Sequence, residues 1–278
     1  MSFEIHGHRG ARGLLPENTI DACLHALSLG VDAVEIDVVV SADRQLVVSH
    51  EPWMSSEICA RPDGSPVSKD EERELNLYST PYSEIRRYDC GSRGHPRFAE
   101  QRPRQAFKPL LRDLIRSAET YRTEQVSGAF TYSIEAKSRP EWDGRFGPAP
   151  PTFVDLLHHL LTEENVIARS TLQSFDERLL READNVSDDW KIALLVDEHE
   201  GADPEEWADR LGFVPAIFSP NFHLLTDELR QRAHGLGMRV IPWTVNRRKD
   251  MERMMALGAD GLISDYPDCA LALARDAR

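Results

Sequence analysis

The sequence predicts an α/β protein built as a (β/α)8 TIM barrel, with a capping insertion after the second strand. Three observations carry that expectation. Short apolar runs of strand length alternate with longer segments of helical period along the whole chain. About eight strand–helix units can be placed, and repeated units of this kind imply a parallel sheet with helices outside. The chain has 278 residues, and a closed barrel of eight units needs roughly 250. An open doubly wound sheet is the competing architecture. It usually opens with a glycine-rich phosphate loop, which His8-Arg9-Gly10-Ala11-Arg12-Gly13 matches only weakly.

Taken in order, the strand candidates are Phe3–His8, Ala33–Val38, Tyr132–Ala136, Thr171–Gln173, Lys191–Val196, Ala216–Ser219, Arg239–Thr244 and Gly261–Ile263. The helix candidates between them begin with Thr19–Leu29, which Gly30 can terminate as a left-handed cap. Leu110–Arg122, Thr152–Thr162, Asp176–Ala183, Pro204–Leu211, Thr226–His234, Arg247–Leu257 and Pro267–Arg275 follow, the last starting at a proline. Val47–Ser49 reads as a short extra strand beside Val38–Val40. From Glu51 to Lys108 the periodicity fades, with helical turns at Glu71–Leu77 and Ser83–Tyr88. The expected organisation is therefore one barrel domain over 1–278 with an insertion at about 51–108. Its second half is basic (Arg86, Arg87, Arg93, Arg97, Arg102, Arg104 and Lys108) and reads either as a solvated loop or as a positive lip for an anionic substrate.

Composition narrows the function classes. Lys plus Arg is 33 against 47 for Asp plus Glu, a formal charge of −14. That balance excludes the basic footprint of a nucleic-acid binder and broad docking on anionic lipid. The apolar runs are too short for stable membrane insertion. The first residues lack the pattern of a secretory leader, and Cys23, Cys59, Cys90 and Cys269 contain no CxxC pair. A cytoplasmic protein with free thiols is the expectation, a Cys59–Cys90 bridge being the alternative. A homo-oligomer is left open.

Barrel active sites lie at the C-terminal ends of the strands, so the polar residues there are the candidates. His8 and Arg9 end the first strand, Glu35 and Asp37 lie on the second, and Glu135 and Lys137 end the third. Gln173, Trp243 and Asp265 follow on later strands. Residues i and i+2 of a strand share a face, so Glu35 and Asp37 point inward together. Three converging carboxylates, Glu35, Asp37 and Glu135, suit a hard divalent cation such as Mg²⁺ or Ca²⁺. A salt-bridge cluster with Arg9 and Lys137 is the alternative. His8 and His50 are the proton-transfer candidates, whereas His25, His95, His158, His159 and His234 read as solvated.

The fragments His8-Arg9-Gly10, Pro16-Glu17-Asn18-Thr19, Glu35-Ile36-Asp37 and His50 resemble the glycerophosphodiester phosphodiesterase family. The resemblance continues through Ile134-Glu135-Ala136-Lys137, Gln173-Ser174-Phe175-Asp176, Trp243-Thr244-Val245-Asn246, Gly258-Ala259-Asp260-Gly261 and Ser264-Asp265-Tyr266-Pro267. It implies a metal-dependent hydrolase releasing glycerol 3-phosphate and an alcohol from a small glycerophosphodiester. It implies metal ligands at Glu35, Asp37 and Glu135, an acid/base pair at His8 and His50, and phosphate contacts from Arg9 and Lys137. By the same analogy the nucleophile is the neighbouring glycerol hydroxyl, giving a cyclic phosphate that water opens. Gln173, Phe175 and Trp243 would line the pocket. Two departures from the family pattern are Glu51 after His50, where Asp is usual, and Ser264, where Thr is common.

Rival readings remain. A phospholipase C or D on intact lipids shares the barrel. A metal-dependent amidohydrolase would use His6, His8 and Asp265 with His199 and His223, leaving the three carboxylates without a role. A non-catalytic barrel binding phosphate-bearing ligands would need a broken set of site residues.

Overall fold

The computed structural model describes residues 3–124 and 129–276. The first unit sets the pattern. β1 (Glu4–Gly7) leads through a turn into α1 (Ile20–Leu29). Thr19 caps that helix, its Oγ1 accepting the Ala22 N–H at 3.1 Å, and Gly30 closes it at φ 95°. A side chain at Gly30 would strain that left-handed geometry.

β2 (Ala33–Val40) pairs with β1 in parallel, and β3 (Leu46–Val48) runs back antiparallel along Val38–Val40. After the insertion, which carries the short α2 (Tyr82–Ile85), the units continue with α3 (Leu111–Glu124) and β4 (Thr131–Ala136). Next come α4 (Pro150–Glu163), β5 (Ser170–Ser174), α5 (Glu177–Val186), β6 (Lys191–Val196) and α6 (Pro204–Leu211). The last units are β7 (Ile217–Pro220), α7 (Asp227–Gly235), β8 (Arg239–Val240), α8 (Arg248–Ala256), β9 (Gly261–Ser264) and α9 (Pro267–Asp276).

The parallel order is β8-β7-β6-β5-β4-β2-β1-β9, with β3 paired only to β2. The two ends of that row meet. Val240 and Pro242 carbonyls accept the N–H groups of Asp260 (2.8 Å) and Ile263 (2.9 Å), and the Ile263 carbonyl accepts Val245 N–H (2.9 Å). The expected (β/α)8 barrel is the observed one. β8 is shorter than the expected Arg239–Thr244 because Pro242 has no N–H to give the ladder. The backbone still continues along β7, with Trp243 N–H bonded to Pro220 O at 3.1 Å.

Strand alternation divides the core. On β2, Val34, Ile36, Val38 and Val40 join the apolar layer under the helices, and the intervening Glu35 and Asp37 face the barrel interior. Inside, Ala193, Ile217, Ile241 and Ile263 form a small apolar plug, with Trp243 against it. The insertion has its own cluster. Trp53, Met54, Ile58, Val67, Leu77 and Ile85 pack on Val39 and Val47. An antiparallel bridge between Ala60 and Asp89 folds it back on itself, which brings Cys59 and Cys90 face to face. Their thiols are free.

Candidate active site

A cavity of about 560 Å³ opens at the C-terminal end of the barrel, in the size range of small-ligand sites. His8, Arg9, Glu35, His50, Glu135, Lys137, Gln173, Phe175 and Trp243 all line it. Asp37 lies beneath them, fully buried. The candidates that the sequence scatters over more than 230 positions therefore converge at one mouth.

Register assembles the carboxylates. Asp37 on β2 stands opposite Glu135 on β4, and Glu135 opposite Gln173 on β5. One oxygen from each of Glu35, Asp37 and Glu135 can lie within 4.8 Å of the others. Gln173 donates from Nε2 to Glu35 Oε1 at 2.9 Å and accepts Ser133 Oγ at 3.0 Å. Its amide is thus spent on positioning a carboxylate. Burial, then the charges of Asp37 and Glu135, raise Glu35 well above the usual carboxylate range. Burial and Asp37 push Glu135 up to about 7 against the pull of Lys137. Burial also acts upward on Asp37, but Arg9 and Lys137 hold its carboxyl well below the usual range.

Two protein cations stand beside the carboxylates. Lys137 Nζ donates to Glu135 Oε1 at 2.5 Å and lies 3.4 Å from Asp37 Oδ1, and Arg9 Nε lies 3.1 Å from Asp37 Oδ2. The ion-pair cluster and the metal set are the same residues. A divalent cation fits them on two grounds. The donors are all hard oxygens whose mutual repulsion a cation would relieve. Asp37 Oδ1 is also buried without a hydrogen-bond partner among the described residues.

Arg9 is placed by backbone geometry. It sits at φ 49° and Gly10 follows at φ 82°, which turns the Arg9 N–H onto Glu35 Oε2 at 2.9 Å. A Cβ on Gly10 would meet the Ala22 carbonyl carbon at 2.5 Å, so the turn requires glycine. Glu17 takes the Arg9 guanidinium at 2.8 Å, and Asn18 Nδ2 donates to Asp37 Oδ2 at 2.8 Å.

Each histidine is held through one ring nitrogen. His8 Nδ1 is 2.6 Å from Asp265 Oδ1, leaving Nε2 3.8 Å from Glu35. Burial drives the His8 imidazole down to about 4, Asp265 opposing and Arg12 and Arg9 adding to the fall. His50 Nδ1 is 2.7 Å from Glu51 Oε1, and burial, Lys137 and Arg9 lower its pKa. The Glu51 departure therefore keeps the carboxylate partner. Behind it, Lys108 donates to Ser49 Oγ at 2.7 Å, and Ser49 Oγ to the Glu51 carbonyl at 2.6 Å. Phe175 and Trp243 meet edge to face at 5.4 Å, and Trp243 Nε1 donates to Ser219 O at 2.9 Å.

Sequence reasoning missed several supporting groups. Arg12 binds Asp265 through Nε (2.8 Å) and Nη2 (3.0 Å), and Asn246 Nδ2 donates to the same carboxylate at 2.7 Å. Asp265 lies in the Ser264-Asp265-Tyr266-Pro267 fragment, but only the fold brings it back to His8. The reading of His95 as solvated is corrected. Its side chain is 2% exposed, stacked on Phe98 and close to Glu17 and Glu57. Of the seven basic residues in the insertion's second half, Arg97 alone is among those lining the main cavity. Arg93 is spent on the Ser56 and Cys59 carbonyls, Arg104 on Asp21, Arg87 on Glu84, and Lys108 is buried. His6 bonds Glu4 at 3.3 Å, and neither His199 nor His223 lines the cavity, so the amidohydrolase constellation does not form.

Three clustered carboxylates beside Arg9 and Lys137, with two carboxylate-held imidazoles at the mouth of a parallel barrel, fit a hydrolase of phosphoric esters. Comparison with known proteins sharpens the class. Residues 8–269 match the glycerophosphoryl diester phosphodiesterase family, and the chain belongs to it. A glycerophosphodiester phosphodiesterase of Caldanaerobacter subterraneus subsp. tengcongensis is 29% identical over 275 residues, covering 99% of both chains. A solved structure of a putative glycerophosphoryl diester phosphodiesterase from Silicibacter pomeroyi superposes with TM-score 0.88 at 28% identity, over 99% of this chain and 94% of that one. An Oleispira antarctica phosphodiesterase, solved with the product sn-glycerol-3-phosphate, shares the fold at TM-score 0.74 and 20% identity, over 98% and 96% of the two chains. Among the described residues no helix is long and apolar enough to cross a membrane.

Proposed function

We propose that this enzyme hydrolyses small glycerophosphodiesters to glycerol 3-phosphate and an alcohol, with His8 and His50 as acid/base pair. The carrying observation is the convergence of both imidazoles on the Glu35–Asp37–Glu135 cluster within one cavity. Those carboxylates would hold Mg²⁺ or Ca²⁺, and the chemistry supplied there is neutralisation of charge at the phosphoryl group.

The protein's own groups do the rest. A phosphodiester is an anion and gains charge as it is attacked, so Arg9 and Lys137 are suited to stabilise its non-bridging oxygens. Both would turn from Asp37 toward the substrate, and the burial of Arg9 and the low exposure of the Lys137 side chain, 10%, strengthen the interaction. With Nδ1 held by Asp265 and by Glu51, each imidazole keeps Nε2 for one proton. One takes the nucleophile's proton and the other delivers one to the departing alcohol oxygen. The P–O bond to that alcohol breaks, and net addition of water leaves glycerol 3-phosphate. Trp243 and Phe175 form an apolar wall suited to the glycerol carbons. A cytoplasmic setting belongs to the same reading and rests on cysteine usage.

The test is a product assay. Glycerophosphodiesters are incubated with the purified chain and Mg²⁺ or Ca²⁺ in turn, and glycerol 3-phosphate is measured. Its release is expected with at least one metal. Absence of glycerol 3-phosphate from every pairing rejects the reading.

A further inference from the structure

Beyond the buried floor of the cavity stands a wall that the chemistry above does not use. Arg73 and Arg97 come from the insertion and Arg139 from the loop after β4, and all three line the same cavity. Arg97 and Arg139 are 60% and 61% exposed, so this wall is the rim. Their acid neighbours are distant. Arg97 lies 3.9 Å from Glu57 and Arg139 4.0 Å from Glu141, both long for an ion pair. Acids at the cavity are otherwise engaged. Glu35 and Glu135 belong to the floor, Glu51 is bonded to His50, and Asp197 Oδ1 accepts the Glu198 N–H at 2.7 Å.

Two tryptophans fix the positions of Arg73 and Arg139. The Arg73 guanidinium lies over Trp53 at 5.0 Å and that of Arg139 over Trp142 at 5.1 Å, and the two indoles meet edge to face at 6.1 Å. An aromatic pair at a pocket mouth could otherwise serve a quaternary ammonium group. Here guanidinium ions already take part of the π surface. Trp53 is 8% exposed and also packs on Phe146, which leaves little open ring. A trimethylammonium group would meet like charge instead of a free aromatic face.

We infer that the rim selects a glycerophosphodiester whose leaving alcohol itself carries negative charge, such as a phosphorylated polyol, over one with a cationic alcohol. This rests on the phosphodiesterase reading above and specifies its substrate class. A substrate seated on the carboxylate floor must extend the rest of its length outward, where three arginines and Asp197 line the rim and Glu57 and Glu141 stand behind Arg97 and Arg139 at 3.9 and 4.0 Å. Stacking on the indoles keeps two of the guanidiniums ordered, which lowers the entropy lost when they bind.

The test compares kcat/KM at low salt for glycerophosphocholine, glycerophosphoglycerol and glycerophosphoinositol 4-phosphate, whose alcohols are cationic, neutral and anionic. The anionic diester is expected to exceed the choline diester by about tenfold, the scale for a few exposed charge contacts. The ratio should shrink toward one as salt rises, and also in the Arg73→Gln/Arg139→Gln variant. Equal turnover of the three in the wild type, or preference for choline, overturns the inference. So does a variant that slows all three by the same factor, because that is general attraction of the shared phosphodiester. A chain that hydrolyses none of them rejects the phosphodiesterase reading itself, a result distinct from hydrolysis without charge preference.

Discussion

Replacing Asp265 by Asn keeps the shape of a fully buried side chain and removes its charge. The carboxylate accepts from His8 Nδ1 at 2.6 Å, from Arg12 Nε at 2.8 Å and from Asn246 Nδ2 at 2.7 Å. Burial works against that charge, but His8 and Arg12 hold the group far below the usual carboxylate range. Two consequences follow. Arg12, 5% exposed, keeps only the more distant Glu17 at 3.7 Å as an acid partner. Breaking a buried pair from one side costs about 3 kcal/mol at the low end, and Tm should fall by roughly 6–12 °C for a chain of this size. An amide can also donate to His8 Nδ1, which forces the ring proton onto Nε2 and removes the basic nitrogen facing the cavity. The expected loss in kcat is roughly 10²–10⁴. The assay measures kcat and KM with a glycerophosphodiester, alongside thermal melts, for Asp265→Asn, His8→Ala and the double variant. If Asp265 works through His8, the double variant is no slower than His8→Ala alone. A folded Asp265→Asn enzyme within threefold of wild-type kcat, or losses that multiply in the double variant, would show that Asp265 does not act through His8.

Further outcomes are open to direct measurement. His8→Ala and His50→Ala should each lower kcat by roughly 10²–10⁴ with the fold intact by circular dichroism, and normal turnover in both removes them from proton transfer. Mg²⁺ or Ca²⁺ should raise the Tm of the chelated protein, by about 2.7 kcal/mol of stability at a hundred times Kd, and Glu35→Gln should shrink that rise. A melting point indifferent to both ions argues against the carboxylate site. Thiol reagents should modify Cys269 quickly and reach Cys23, Cys59 and Cys90 only on unfolding, because the first is exposed and the others buried. Two or more fast equivalents in the folded protein contradict that packing.

Much of the barrel is legible in the chain. β6 coincides with its expected span Lys191–Val196, and Thr19 and Gly30 bound α1 as their side-chain chemistry demands. The helical turns expected in the insertion shrink to the single turn of Tyr82–Ile85 and a 3₁₀ turn at Leu77–Ser79. Its structure comes from non-local bridges and a shared apolar cluster, neither of which leaves a period in the sequence. The burial of His95 is hidden for the same reason, since it sits against Glu17, 78 positions away.

Local patterns along the chain carry the βα repeat, the inward pair Glu35 and Asp37, and the groups at the strand ends. Those follow from period, cap chemistry and face alternation, which are local. The register that sets Asp37 beside Glu135 and the closure that brings Asp265 to His8 across 257 positions come only from long-range pairing. Long-range packing also sets which arginines line the cavity. Arg93 and Arg104 are consumed by nearby carbonyls and acids, whereas Arg73 and Arg139 are stacked at the mouth. Charge on a chain is counted residue by residue, but the field at a site depends on which charges the fold leaves unpaired around it.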